Sequence, residues 1–303
     1  MEGRRFFNGA GCQLSAVDFG NSAAPPMVLL HGMRDHALSM KSIALAFPEY
    51  RVIAMDLRGH GDSDNPGSYT MTQLVADLRA LVDYFKLTRL TLIGHSLGGH
   101  IVSKFAAFYP AEVDRLVLID GMGPPQKGKK QTEEDRLEHW RTHINTALSM
   151  NIERRAMRNK EDALQRLLRN NPKLGHESAR FIVEHGIEEH PDGGICWKWD
   201  PRVNMVWSTF SHEESEELYS RINCPVLIIT GENSMDYWTQ NRPELSGMQT
   251  LHDIEIERRR QLFKNAEHEV IKGAGHMIHY DEPDSLNRVI QDFLASGSGA
   301  GRE

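Results

Sequence analysis

The chain has 303 residues, of which 40% are hydrophobic and 25% charged, with a formal net charge of −7 and an isoelectric point near 6.1. That length suits one large α/β domain with an insertion. The acidic balance excludes the strongly basic footprint of a nucleic-acid binder.

Three widely spaced cysteines, Cys12, Cys196 and Cys224, offer neither a disulfide framework nor a Cys-x-x-Cys site. A reducing, cytoplasmic setting is therefore expected. Residues 1–11 lack the apolar run of a signal peptide, and no stretch reaches the length of a membrane span, so no membrane partner is expected. The Gly- and Ser-rich tail, 296–303, is expected to be disordered.

In chain order, residues 13–19 read as an opening strand and 21–26 as a turn cluster. The all-apolar run 27–30 suits a strand buried on both faces, and it ends in His31-Gly32-Met33. A helix is expected over 40–47 and a strand over 50–55, followed by the polar, Gly-rich loop from Asp56 to Ser63. Leu74, Leu78, Leu81 and Phe85 repeat at three and four, which predicts a helix over 72–85. Residues 89–93 read as a strand, 101–109 as a helix and 113–119 as a strand ending at Asp120. This alternation predicts a mostly parallel sheet covered on both faces.

The pattern breaks after Gly121. Residues 123–222 are charged, His- and Met-rich, and predict helices over 133–150, 152–169 and 178–185. They are expected to form a helical cap over the carboxyl edge of the sheet, where such sheets bind ligands. Residues 1–122 and 223–295 would then form the core. Strand alternation resumes at 225–230. A helical stretch over 246–263, a strand at 269–271, a loop at 273–279 and a helix at 283–294 close the chain.

Between the strand at 89–93 and the helix at 101–109 stands Gly94-His95-Ser96-Leu97-Gly98. A Gly-x-Ser-x-Gly turn from strand to helix is the setting of a nucleophilic serine. The turn is tight, so flanking side chains would clash, and the following helix directs its free N–H groups at chemistry on Ser96. A serine hydroxyl needs an adjacent base. Of 15 histidines, His276 stands out, because it follows a short strand and a Gly-Ala-Gly turn far downstream of Ser96. His279 is the near competitor, otherwise a surface or loop histidine. His95 and His100 flank Ser96, but the turn directs them elsewhere. His139 and His143 are spaced as a metal pair; no third ligand accompanies them, and a solvated helix face is the reading taken, with no metal.

These pieces, namely His31-Gly32, Asp56-x-Arg58-Gly59-x-Gly61-x-Ser63, Gly94-x-Ser96-x-Gly98 and Gly273-Ala274-Gly275-His276, resemble in kind and order the α/β-hydrolase superfamily from residue 12 to 295. The run from Leu118 to Pro124 is similar to the superfamily's serine-hydrolase-like branch. The resemblance implies an α/β-hydrolase fold, with oxyanion donors at the backbone N–H groups of Leu97 and Met33. Gly32 would let substrate approach the backbone. His31 reads as structural, and Asp56, Arg58 and Ser63 as residues that shape their loop.

The chain departs from the family at the acid. The resemblance implies an Asp three residues after Gly231, and Ser234 stands there. Asp120, Asp236 and Glu232 are the candidates. Asp120 is preferred, because haloalkane dehalogenases and certain lactonases carry their acid at the matching strand end, with a Pro a few residues on, as Pro124 is here. Asp120 is also open to a structural reading, and Asp236 would reach in if its loop bulged.

The resemblance thus implies hydrolysis of a small-molecule carboxylic ester or lactone by Ser96, His276 and Asp120, without a cofactor. Carbon–carbon bond hydrolysis, acyl transfer and amide hydrolysis are alternatives on the same fold, and a non-catalytic ligand-binding protein is the alternative of another class. Trp197, Trp199, Trp207 and Met205 could floor an apolar pocket. Serine-dependent macrolide esterases have a similar layout, which brings a macrolactone into view.

Overall fold

The computed structural model describes residues 3–123, 132–241 and 245–296. The tail from 297 and Pro124 lie outside them. In chain order the elements are β1 (Gly3–Asn8), β2 (Gln13–Asp18), β3 (Pro26–Leu30), α1 (Lys41–Ala46), β4 (Arg51–Asp56), α2 (Met71–Phe85), β5 (Leu90–His95), α3 (Leu97–Phe108), β6 (Val113–Ile119), α4 (Glu133–Ser149), α5 (Lys160–Asn170), α6 (His176–Gly186), β7 (Ile187–Glu189), β8 (Ile195–Trp197), α7 (His212–Tyr219), β9 (Val226–Gly231), α8 (Ser234–Asn241), α9 (Gln249–Arg260), β10 (Ala266–Ile271), α10 (Ile278–Asp281) and α11 (Pro283–Ser296). Two 3-10 segments, Ala37–Met40 and Pro201–Thr209, complete them.

Eight strands form one sheet in the order β1-β2-β4-β3-β5-β6-β9-β10. From β4 to β10 every pair is parallel, and the β1–β2 hairpin adds an antiparallel edge. The central strands are apolar at nearly every position because both faces are covered. In β3, Val28 and Leu30 face one core with Leu92, Leu118 and Ile228, beneath α2 and α3. Met27 and Leu29 face the other with Ile93, Val117 and Ile229, beneath α1 and α11. Each such side chain contributes about 1.5–3 kcal/mol by leaving water.

The α/β reading matches this architecture. Four local expectations are corrected. Residues 3–8 form β1, which carries one buried residue, Phe7; it is held by pairing with β2, which local composition does not show. The helix expected from 152 begins at Lys160, because the Asn159 side chain accepts from the Asp162 N–H at 3.0 Å and caps it there. The helix expected from 246 begins at Gln249. The short helices α7 and α8 and the β7–β8 ribbon were not expected at all.

Between β6 and β9 the described residues are mostly helical. Met157, Leu164, Ile182 and Ile187 cluster around Tyr280, a residue of the core, which ties the insertion to the sheet domain. Asp200 reinforces the tie by accepting from the Tyr69 hydroxyl at 2.6 Å. By contrast, α4 buries none of its residues, and Trp140, Ile144 and Leu148 on it are exposed.

Candidate active site

The chain leaves β3 toward β4 on one side and reaches β5 on the other, so the strand order reverses between β3 and β5. At such a reversal the loops beyond the carboxyl ends diverge and leave a crevice. The loop after β3 carries Gly32 and Met33, and the turn after β5 carries Ser96. Ser96 has φ 51° and ψ −116°, a region that L side chains rarely adopt and that costs about 1–3 kcal/mol. The two glycines explain how the turn closes. A Cβ at Gly94 would meet the Gly98 carbonyl carbon at 2.4 Å, and one at Gly98 would meet the Leu30 carbonyl oxygen at 2.3 Å.

His276 follows β10 in a loop that the Gly275 N–H fastens by donating to Asp281 at 2.7 Å. Its Nε2 lies 3.1 Å from Ser96 Oγ and its Nδ1 lies 2.6 Å from Asp120 Oδ2. Asp120 and His276 are each 5% exposed. Asp120 has a positive φ of 43°, and its N–H donates to the Ile229 carbonyl at 2.7 Å. A hydroxyl, an imidazole and a buried carboxylate thus stand in one hydrogen-bonded line. That line can move a proton from Oγ to Nε2 while the carboxylate holds Nδ1–H.

The other carboxylates are elsewhere. Glu232 accepts from the Gly273 N–H at 2.9 Å. Asp236 lies in the first turn of α8 and lines the cavity without a hydrogen bond to His276. Ser234 is fully buried and its hydroxyl accepts from the Gly231 N–H at 3.0 Å.

Leu97 opens α3, so its N–H has no acceptor within the helix. In the loop after β3, Gly32, which precedes Met33, lies so close that a Cβ there would meet Ser96 Cβ at 3.2 Å. His31 ties this loop down. Its Nδ1–H donates to the Gly32 carbonyl at 2.6 Å, and its Nε2 accepts from the Leu57 N–H at 3.1 Å. Asp56 collects Arg4, Ser15 and the Ala37 N–H, while the Ser63 hydroxyl donates to the Asp56 carbonyl at 2.7 Å. Arg58 is buried in a two-pronged pair with Asp77 at 2.6 and 2.8 Å. These residues shape loops and lie away from the Ser96–His276 line.

Three buried histidines near the site, His31, His60 and His95, are favoured in the neutral form. Burial lowers His31 and His95 and takes His60 down to about 3. His95 Nε2–H donates to the His276 carbonyl at 2.9 Å. His279, expected at the surface, is 3% exposed on α10, with Nε2 3.5 Å from Asp35 Oδ2. Burial alone would raise Asp35, but the polar contact and charge of His279 outweigh it and hold the carboxyl well below the usual range. Asp35, His95 and His279 bring donor atoms within 4.8 Å of one another, the closest approach to a metal-ligand set among the described residues. Asp35 Oδ1 accepts from the Tyr280 hydroxyl and the His36 N–H, whereas Asp35 Oδ2, His95 Nδ1 and both ring nitrogens of His279 are buried without a hydrogen-bond partner. His139 and His143 have rings 4.3 Å apart on the exposed α4, and no third ligand joins them among the described residues.

A cavity of about 640 Å³ is lined by Met33, Arg34, Trp197, Trp199, Tyr237 and His276, among others. Trp207 and Met205 do not line it, which corrects that expectation. The Trp207 ring packs edge-on against His100 and Phe210 and against the core. His100 is thereby held away from the site.

The α/β-hydrolase fold model matches residues 25–167. The chain has the α/β-hydrolase fold. Among similar proteins, the serine hydrolase-like protein of Danio rerio is 27% identical over 93% of this chain and 85% of its own length. Esterase YbfF of Escherichia coli is 25% identical over 89% of this chain and 92% of its own. The thioesterase domain from the curacin biosynthetic pathway superposes with a TM-score of 0.77 at 22% identity, over 96% of this chain and 99% of that one. The residue at this site that sequence reasoning missed is Tyr237. It stacks on His276 with ring centroids 4.2 Å apart, and it sits on a short helix that no periodicity announces.

Proposed function

We propose that this protein is a serine esterase that cleaves a carboxylic ester or lactone, with Ser96 as nucleophile, His276 as base and Asp120 as the acid that orients it. The observation that carries the reading is the line Ser96 Oγ–His276 Nε2, 3.1 Å, and His276 Nδ1–Asp120 Oδ2, 2.6 Å. His276 takes the hydroxyl proton as Ser96 attacks the carbonyl carbon. The resulting oxyanion meets the N–H groups of Leu97 and Met33. The intermediate collapses as His276 returns the proton to the leaving alcohol, and water then releases the acid by the same steps. Asp120 keeps Nδ1 protonated and stabilises the imidazolium.

The cavity of about 640 Å³, with Trp197, Trp199 and Met33 in its wall, favours a bulky, partly apolar substrate. The net charge of −7 suits a neutral or cationic one. A macrolactone fits that description. No cofactor, nucleic acid or membrane takes part in this reading. No helix among the described residues is long and apolar enough to cross a membrane, and the three unpaired cysteines suit a reducing cytoplasm. Incubation with a panel of esters and macrolactones, read by mass spectrometry, tests the substrate class. Opened rings in the wild type and none in Ser96→Ala support it, and an untouched lactone panel removes the macrolactone.

A further inference from the structure

With Asp120 at the end of β6, the loop after β9 need not supply an acid. It supplies α8 instead, and α8 lays Tyr237 flat against the imidazole of His276. The ring centroids are 4.2 Å apart and the planes differ by 19°. Trp238 meets the same imidazole edge-on at 5.5 Å and 63°. Within its plane the imidazole is held by Asp120 and Ser96, and Tyr237 holds it from outside the plane. Tyr237 is 39% exposed and lines the cavity, so filling the core is not its main work.

We propose that Tyr237 is a positioning residue, whose ring face fixes the His276 imidazole and favours the imidazolium formed when Ser96 gives up its proton. The inference rests on the reading of Ser96, His276 and Asp120 as the reacting groups. An aromatic face carries partial negative charge and attracts a cation within about 6 Å of its centroid. Stacking therefore discriminates between the neutral and charged imidazole, which an aliphatic side chain does not.

The other groups around His276 come from four elements. Asp120 lies at the end of β6, and His95, at the end of β5, bonds to the His276 carbonyl. His252 on α9 couples electrostatically to both Asp120 and His276 and is itself lowered by burial. Arg34, in the loop after β3, acts on Tyr237 from the cavity side. His95 is held neutral by burial, so the charge that changes in this ring of groups during the reaction is that of His276.

The test needs no knowledge of the substrate. The rate of inactivation by a fluorophosphonate is measured against pH for the wild type, Tyr237→Phe, Tyr237→Leu and Tyr237→Gln, with melting curves to show that each folds. Tyr237→Phe keeps the ring and is expected within about twofold of wild type, with the same acid limb. The Leu and Gln variants are expected to react about tenfold more slowly at neutral pH, with the acid limb moved to lower pH. A purely structural role would slow the reaction without moving that limb. Wild-type behaviour in both non-aromatic variants overturns the proposal, and so does a Phe variant as slow as Leu. A wild type that is not labelled at all overturns the serine-hydrolase reading beneath it instead.

Discussion

The neighbouring strands β6 and β9 end at the same edge of the sheet, yet their loops contribute different things to one histidine. The loop after β6 contributes charge, through Asp120 Oδ2 at 2.6 Å from His276 Nδ1. The loop after β9 contributes scaffold. The Asn233 N–H donates to the Ala274 carbonyl at 2.8 Å, Glu232 accepts from the Gly273 N–H, and Gly231 lies so close that a Cβ there would meet the Gly275 oxygen at 2.4 Å. Ser234 turns its hydroxyl back to the Gly231 N–H and lets α8 begin there. Orienting an imidazole therefore needs a carboxylate within reach of Nδ1 and a rigid loop beneath the ring. The two requirements are separable, and this chain divides them between adjacent strands.

The largest effect separates the two ends directly. Asp120→Asn is expected to lower the reaction of Ser96 by about 10³–10⁴-fold while the fold is kept, because the amide no longer holds the required tautomer. Labelling rates and circular dichroism check it. Retained labelling would move the charge back to the loop after β9.

Next in size is the response to acid of the buried histidines His60, His31 and His95. His60 is buried and lowered to about 3, first by burial and then by the charge of His31. The folded chain therefore binds fewer protons than the unfolded chain between pH 3 and pH 6.5. Stability from His60 is whole above the unfolded value near 6.5 and declines as pH falls below it. At pH 5 the loss from His60 is about 2 kcal/mol. His31 and His95 are shifted in the same direction and add to it. Denaturant midpoints at pH 7.5 and pH 5 check this; equal midpoints would contradict it.

Ser234→Ala probes the scaffold end. It leaves the buried Gly231 N–H without its partner and is expected to cost about 1–3 kcal/mol. Labelling of the folded fraction should hold within a few-fold, and a loss as large as that of Asp120→Asn would mean that Ser234 does more than cap its loop. The smallest effect belongs to Asp236→Asn, exposed on α8, with a change of less than about 0.5 kcal/mol in stability and about twofold in labelling rate. A larger loss of labelling would return Asp236 to the site.

What the sequence revealed of the site follows the backbone. Gly94 and Gly98 are legible because no other residue fits contacts of 2.4 and 2.3 Å, and that necessity marks Ser96. The Gly-Ala-Gly run before His276 marks the histidine in the same way. The acid is less legible, since a carboxylate at either strand end can reach the imidazole and only the three-dimensional loop decides. Tyr237 leaves no mark, because stacking needs only an aromatic ring somewhere on α8. The tryptophans show the limit of composition. Trp197 and Trp199 line the cavity while Trp207, a few residues on, packs on His100. The edge strand β1 is hidden for a related reason, since its order comes from its partner β2 and only Phe7 of it is buried.

The central claim, that Ser96 is an activated nucleophile, is tested most directly by intact-mass labelling with a fluorophosphonate, wild type beside Ser96→Ala. The account predicts one adduct per chain on the wild type and none on the variant. An unlabelled wild type, or a variant labelled as fully as the wild type, would contradict it.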